Sequence, residues 1–245
     1  MNILFVTSRA TFVRDNYQLL FQTLTQQLAS EHQLSLLIID NLTVGVLKKI
    51  FRFILIGGWR TGCIMLKNMV TSFLKQRDRC FESVHYVKNI NHPDSIQLLK
   101  SLNPDLVFNL RTRNIYSPEV LRIPTVGCLN VHHGLLPENR GTMCNLWEML
   151  NNQPTGFSIH WMITKVDAGD ILVRYELKDI PDKNFVELTY QSSRHESEAL
   201  ITLIRQFENK QLPVPIKNHK LPHTRFYKDP DFQQIRQMKK RGLVL

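Results

Sequence analysis

The chain has 245 residues, 43% of them hydrophobic and 21% charged, which suffices for one α/β domain with a sizeable core plus a small appendage and excludes a disordered chain. Lys and Arg number 31 against 21 Asp and Glu, and the net charge of +10 points to an anionic partner (nucleic acid, a phosphorylated substrate or a membrane surface) without choosing among them. The four cysteines, Cys63, Cys80, Cys128 and Cys144, are widely spaced without a Cys-x-x-Cys pair, and residues 1–6 read directly as a first strand rather than a signal peptide, so free thiols, a cytoplasmic setting and no metal site are expected.

Residues 2–7 form an apolar, β-rich run and residues 34–40 another, with a helical pattern at 15–30 between them, which is a β-α-β opening. The segment after the first strand, Thr7-Ser8-Arg9-Ala10-Thr11-Phe12-Val13-Arg14-Asp15-Asn16, lacks glycine, so it holds no Gly-rich phosphate loop and no dinucleotide fingerprint. Residues 42–79 are apolar yet carry Lys48, Lys49, Arg52, Arg60, Lys67, Lys75, Arg77 and Arg79. Charges interrupt this stretch well before the roughly 20 apolar residues of a membrane span. Two readings stay open: core-packed helices with a basic outer face, or a basic amphipathic surface, centred on 44–79, for an anionic membrane or a phosphate-bearing partner.

Further strands are expected at 84–87 and 105–109, separated by a helix at 93–102, and a strand at 128–132 follows. Gly134 and Pro137 end that strand in a turn, and residues 142–150 have the pattern of an amphipathic helix opening on a Thr142 cap. Strand-like runs at 156–162 and 170–177 extend the sheet as a hairpin-like pair, and a long helix at 185–209 packs back. The expected class is α/β: a Rossmann-like, mostly parallel sheet with flanking helices over 1–210. The tail 211–245, with too little apolar material for its own core, should wrap on that domain.

The most informative residues are Asn130-Val131-His132-His133-Gly134-Leu135-Leu136-Pro137, then Glu138-Asn139-Arg140-Gly141, and later Val166-Asp167-Ala168-Gly169-Asp170. Asn130 and His132 lie two apart on a strand, so their side chains share a face, while His133 alternates to the other. Asp167 sits in the turn between two strands. An amide donor, an acid/base group and a carboxylate to orient it are what acyl transfer to an amine requires. An isolated Asn-x-His is more often a hydrogen-bonded strand-end pair, and it is the ordered set that favours catalysis.

These residues resemble the folate-dependent formyltransferases, whose signature is Asn-x-His-Pro-Ser-Leu-Leu-Pro, then Arg-Gly, then an Asp-x-Gly turn. Asn130, His132, Leu135, Leu136, Pro137, Arg140, Gly141, Thr155, Gly156, His160, Asp167 and Gly169 match in order and spacing. The resemblance covers residues 100–180 well and the first strand weakly. His133 stands where the family has Pro, and Gly134 where it often has Ser.

The resemblance implies a Rossmann-like formyltransferase fold and 10-formyltetrahydrofolate as formyl donor. A polyglutamylated folate then joins the anionic partners. It gives His132 the acid/base role, Asn130 the oxyanion-donor role and Asp167 the orienting role. Leu110, Arg111, Thr112, Ile115, Thr164 and Val166 would wall the folate pocket. Arg9, Arg14, His133 and Arg140 would meet the acceptor, Arg140 alternatively fixing its turn. His160 reads as a satisfied structural histidine and Asp170 as a residue that shapes the turn.

For the acceptor, the glycine-free first loop disfavours a glycinamide ribotide, and the residues after Asn209 are too few for the extra barrel of methionyl-tRNA enzymes. A small or nucleotide-linked primary amine remains, with nucleotide-linked amino sugars favoured and a hydroxyornithine-type acceptor open. The rival readings are a formyltetrahydrofolate hydrolase and a non-catalytic anion, nucleic-acid or membrane binder on the same scaffold. No specific nucleic-acid partner is expected, and a homo-oligomer is compatible with the chain.

Overall fold

The computed structural model describes every residue except 12, 41–47, 49–50, 52–58, 75–76, 179–183 and 245. Strand β1 (Asn2–Ser8) leads through α1 (Gln18–Leu28) into β2 (Gln33–Ile39), and the two strands pair in parallel from Asn2–Gln33 to Ser8–Ile39. Helix α2 (Trp59–Phe73) precedes β3 (Ser83–Val87), which adds outside β2. The chain then passes through α3 (Pro93–Leu102) to β4 (Leu106–Leu110), on the other side of β1, and through the short α4 (Pro118–Leu121) to β5 (Gly127–His132). The remaining elements are β6 (Asn139–Gly141), α5 (Cys144–Leu150), β7 (Gly156–Trp161), β8 (Ile171–Glu176), α6 (Phe185–Glu208), β9 (Arg225–Tyr227) and α7 (Phe232–Lys240).

The main sheet has the order β3-β2-β1-β4-β5-β7-β8; the first five strands are parallel, and β7 runs antiparallel to both its neighbours. Successive residues of β1 serve opposite faces: Ile3 and Phe5 join the core built with α1 and α6, Leu4 and Val6 the core built with α3 and α4. Burial on both faces is why these strands are continuous apolar runs rather than alternating ones. The tail docks through Ile235, Met238 and Leu243 onto Leu146, Met149, Phe185 and Leu188.

Some boundaries differ from the sequence expectation, with local causes. Helix α1 starts at Gln18 rather than at 15 because Asn16 and Tyr17 take left-handed φ values of 52° and 66°, incompatible with a right-handed turn. Helix α5 starts at Cys144 after Met143 at φ 59°, without a side-chain cap, so Thr142 is not the cap. Its N–H instead donates to the Tyr227 carbonyl at 3.0 Å, prolonging a parallel β6–β9 ladder that the sequence pattern did not indicate.

Of the basic stretch 42–79, most of the first part lies outside the described residues, and α2 is the helix described within it. Among the described residues, no helix is long and apolar enough to cross a membrane.

Candidate active site

Three polar residues occupy one row across adjacent strands: Asn109 of β4 is in register with Asn130 of β5, and Asn130 with His160 of β7. Asn109 Nδ2 donates to Asn130 Oδ1 at 2.7 Å, and Asn130 Nδ2 lies 3.1 Å from His160 Nε2. His160 Nδ1 is 2.8 Å from the Trp161 carbonyl, which can only accept, so Nδ1 carries the proton and Nε2 accepts from Asn130. The Asn130 amide is therefore fixed from both ends. One of its two N–H groups is spent on His160, and the second remains for the cavity. Behind it, Asn109 Oδ1 accepts from Tyr116 at 3.3 Å and from the Thr112 hydroxyl.

His132 is tuned by the same logic. Its Nε2 lies 2.8 Å from the Asn139 carbonyl and must donate there, which leaves the Nδ1 lone pair, 3.6 Å from Asp167 Oδ1, as the basic position. Asp167 comes from the loop between β7 and β8 at φ 49°, and its Oδ1 is also 3.7 Å from His160 Nε2. Burial opposes the Asp167 charge, yet the positive charge that His132 and His160 carry when protonated and the Gly141 N–H, which donates to Oδ2 at 2.8 Å, hold its carboxyl well below the usual carboxylate range.

Two glycines make this approach possible. A Cβ on Gly134 would lie 2.5 Å from Cys144 Cβ and 3.1 Å from His132 Nε2, which accounts for glycine where the family often has Ser. Gly141, at φ 97°, would place a Cβ 2.2 Å from the Tyr227 carbonyl oxygen.

Beneath the triad lies a second buried set. His133 points to the opposite face from His132, as strand alternation requires, and its Nε2 donates to Glu196 Oε1 at 2.9 Å. Glu196 also accepts from Tyr17 at 2.9 Å and Ser192 at 2.6 Å and pairs with Arg111 at 3.4 Å; Arg111 Nε in turn donates to the Tyr17 hydroxyl. Burial and then the Arg111 charge push the His133 imidazole down to about 4, so it is neutral at physiological pH. Burial works against the Glu196 carboxylate, but His133, Arg111 and Ser192 keep it ionised, below the usual carboxylate range.

Glu148 of α5, fully buried, accepts from the Leu135 N–H and from Asn139 Nδ2, both at 2.8 Å, and so holds the loop whose carbonyl orients His132. Burial pushes its carboxyl up to about 7.

A cavity of about 520 Å³ opens over this row, within the range typical of small-molecule sites. Asn109, Asn130, His132, His160 and Asp167 line its floor, while Ile115, Met162, Ile163 and Val166 line an apolar flank.

Of the expected folate-wall residues, Arg111, Thr112, Ile115 and Val166 line the cavity. Leu110 is fully buried in the core, and Thr164 sits on an exposed turn outside the cavity lining. Of the expected acceptor residues, His133 lines the cavity and three arginines do not. Arg9 donates to Asp40 at 2.8 Å, and Arg14 pairs with Glu187 at 3.4 Å and covers the Tyr190 ring. Arg140 is buried, donating to the Asn218 carbonyl and side-chain oxygens at 3.1 and 3.0 Å, so it fixes its turn to the tail instead of reaching into the cavity. Asp170 likewise shapes its turn, pairing with Lys217 at 2.6 Å.

Sequence reading passed over Asn109, Glu148 and Glu196, and treated His160 only as a satisfied histidine. The one available signal was a polar residue near the end of an apolar run, Leu-Val-Phe-Asn-Leu, which also fits an ordinary strand end.

Comparison with known proteins identifies the family and relates the fold to solved structures. The formyl transferase family model matches residues 67–204. The bifunctional polymyxin resistance protein ArnA of Wigglesworthia glossinidia brevipalpis is 36% identical over 136 residues, 55% of this chain and 20% of that protein, so the chain spans about a fifth of that curated relative. A 4-N formyltransferase from Francisella tularensis superposes with a TM-score of 0.62 at 18% identity, over 93% of this chain and 76% of the other. An N-formyltransferase from Helicobacter canadensis, solved with folinic acid and dTDP-3-aminofucose, superposes with a TM-score of 0.56 at 13% identity, over 94% and 71%.

Proposed function

The chain belongs to the formyl transferase family, and on that premise we propose that it moves a formyl group from 10-formyltetrahydrofolate to the primary amine of a nucleotide-linked amino sugar. The observation that carries the reading is the doubly fixed Asn130 amide beside a His132 whose Nε2 is engaged by the Asn139 carbonyl and whose Nδ1 faces Asp167. The cavity suits the donor: an apolar flank of Ile115, Met162, Ile163 and Val166 for a flat heterocycle, with exposed Lys165 on the lining for an anionic tail.

In this reading the second N–H of Asn130 donates to the formyl oxygen as that oxygen takes on charge, a contribution of about 3 kcal/mol for one preorganised donor. Nδ1 of His132 takes the proton that the attacking amine must lose and returns it to the departing nitrogen. Asp167, kept ionised, stabilises the imidazolium formed in between and does not itself take the proton. His160 and Asn109 touch neither reactant and act by orienting Asn130.

The acceptor assignment draws on the Helicobacter canadensis enzyme, which was solved with a nucleotide-linked amino sugar, and on the glycine-free first loop of this chain. The test is a panel of primary amines, including nucleotide-linked amino sugars and amino acids, incubated with 10-formyltetrahydrofolate and read by the mass gain of one formyl group. A gain on nucleotide-linked amino sugars is expected. Formylation only of amines lacking a nucleotide would overturn the acceptor, and hydrolysis of the donor without transfer would overturn the reaction.

A further inference from the structure

Helix α2 has two faces with different tasks. Its inner face turns Met65 into the lining of the cavity and buries Asn68, whose amide donates to the Thr11 and Val13 carbonyls at 2.9 and 2.5 Å. Its outer face carries Trp59, Cys63, Leu66 and Val70, continued by Leu74 just past the helix end. At about 100° per residue these five fall within an arc of about 80°, a single apolar stripe. The stripe is uncovered: Trp59 is 58% exposed, Leu66 49%, Val70 52% and Leu74 60%.

Charge identifies what would cover it. Arg60 and Lys67 are both exposed and follow directly on one edge of the stripe, about 80–100° around the helix from Trp59. Between Asp40 and Asp78 the sequence has no acidic residue, whereas 42–79 holds eight Lys or Arg. A second copy docked stripe to stripe would cover the apolar residues, but its own 41–77 segment has no acidic residue to offer Arg60 and Lys67. A partner that offers an apolar layer beneath a negatively charged surface matches both the stripe and its edge. A Trp at one end of a helix of this design is the usual anchor at headgroup depth.

We propose that the outer face of α2 is a docking surface for an anionic lipid bilayer, on which the protein lies without spanning it. Because the same helix walls the cavity through Met65, docking would seat the cavity beside the bilayer surface. The proposal does not depend on which amine accepts the formyl group.

The test uses the full chain and sedimentation with vesicles of pure phosphatidylcholine or of phosphatidylcholine with phosphatidylglycerol. Binding to the anionic vesicles with a blue shift of tryptophan emission is expected, weakening as salt rises and by about fivefold for each charge removed in Arg60→Gln and Lys67→Gln. Leu66→Glu/Val70→Glu should abolish it, while circular dichroism and thermal unfolding show the fold intact. Exposed surface positions make that outcome independent of core packing, and the single-charge variants provide a second reading if the double variant unfolds.

Absence of binding to anionic vesicles would overturn the proposal, as would equal binding to both vesicle types. Self-association that Leu66→Glu dissolves, without vesicle binding, would assign the face to a second copy instead. Formyl transfer to soluble amines, measured in parallel without vesicles, reports on the catalytic reading separately.

Discussion

Substituting Asn109 by Leu tests whether the row behind the catalytic amide acts through that amide. The side chain is nearly isosteric, but it removes the Nδ2 donor 2.7 Å from Asn130 Oδ1 and the acceptor of Thr112 and Tyr116. Asn130 then keeps only the His160 contact at 3.1 Å to decide which way its amide faces. A lost neutral hydrogen bond is worth about 1 kcal/mol, so the correctly facing amide should fall in population and kcat should drop by about fivefold to tenfold. Removing the oxyanion donor outright, in Asn130→Ala, should cost about 100-fold to 1000-fold.

The decisive measurement is a double-mutant cycle on kcat with both substrates saturating. In the Asn130→Ala background, Asn109→Leu should cost almost nothing, because the group it orients is gone. Urea unfolding should show Asn109→Leu about 1–3 kcal/mol less stable, the cost of leaving Asn130 Oδ1 without its partner. If Asn109→Leu lowers kcat by the same factor in both backgrounds, Asn109 acts through the cavity wall instead, and the orienting role is refuted.

His132→Ala and Asp167→Asn should each lower kcat at least about 100-fold while the donor dissociation constant, measured by fluorescence quenching, changes little, since both groups act on the transition state. Near wild-type turnover in His132→Ala would remove the acid/base assignment.

Glu148 should make stability fall as pH rises. Its folded pKa of about 7 lies above its ordinary 4.5, so the folded state holds the extra proton between these values, and about 3 kcal/mol of stability is lost as pH climbs through that window. Urea unfolding at pH 5 and pH 8 should show that drop in the wild type and a smaller one in Glu148→Gln; equal slopes would refute it. Gly141→Ala, with a Cβ 2.2 Å from the Tyr227 carbonyl at φ 97°, should lower the unfolding free energy by at least about 2 kcal/mol, and a neutral result would mean the β6–β9 ladder yields freely.

Much of the framework was legible from the sequence because it depends on single elements. The helix at 93–102 carries its own start signal, with Pro93 in the first turn and His92 accepting from the Asp94 N–H, and its predicted bounds are those observed. Strands β1, β2 and β4 announce themselves as apolar runs because both sheet faces are covered. Asn130 and His132 share a face, and His133 the opposite one, by strand geometry alone.

What the tertiary structure alone decided is which elements are neighbours. Asn109, Asn130 and His160 lie 21 and 30 residues apart in sequence and meet only through the register of β4, β5 and β7. Arg140 turns to Asn218, 78 residues away, because the tail brings β9 alongside β6, and that contact decides between the two roles the motif left open for it, meeting the acceptor or fixing its turn. Periodicity reports the face a residue presents within its own helix or strand. The partner waiting at that face is set by sheet order and loop closure, which depend on the whole chain.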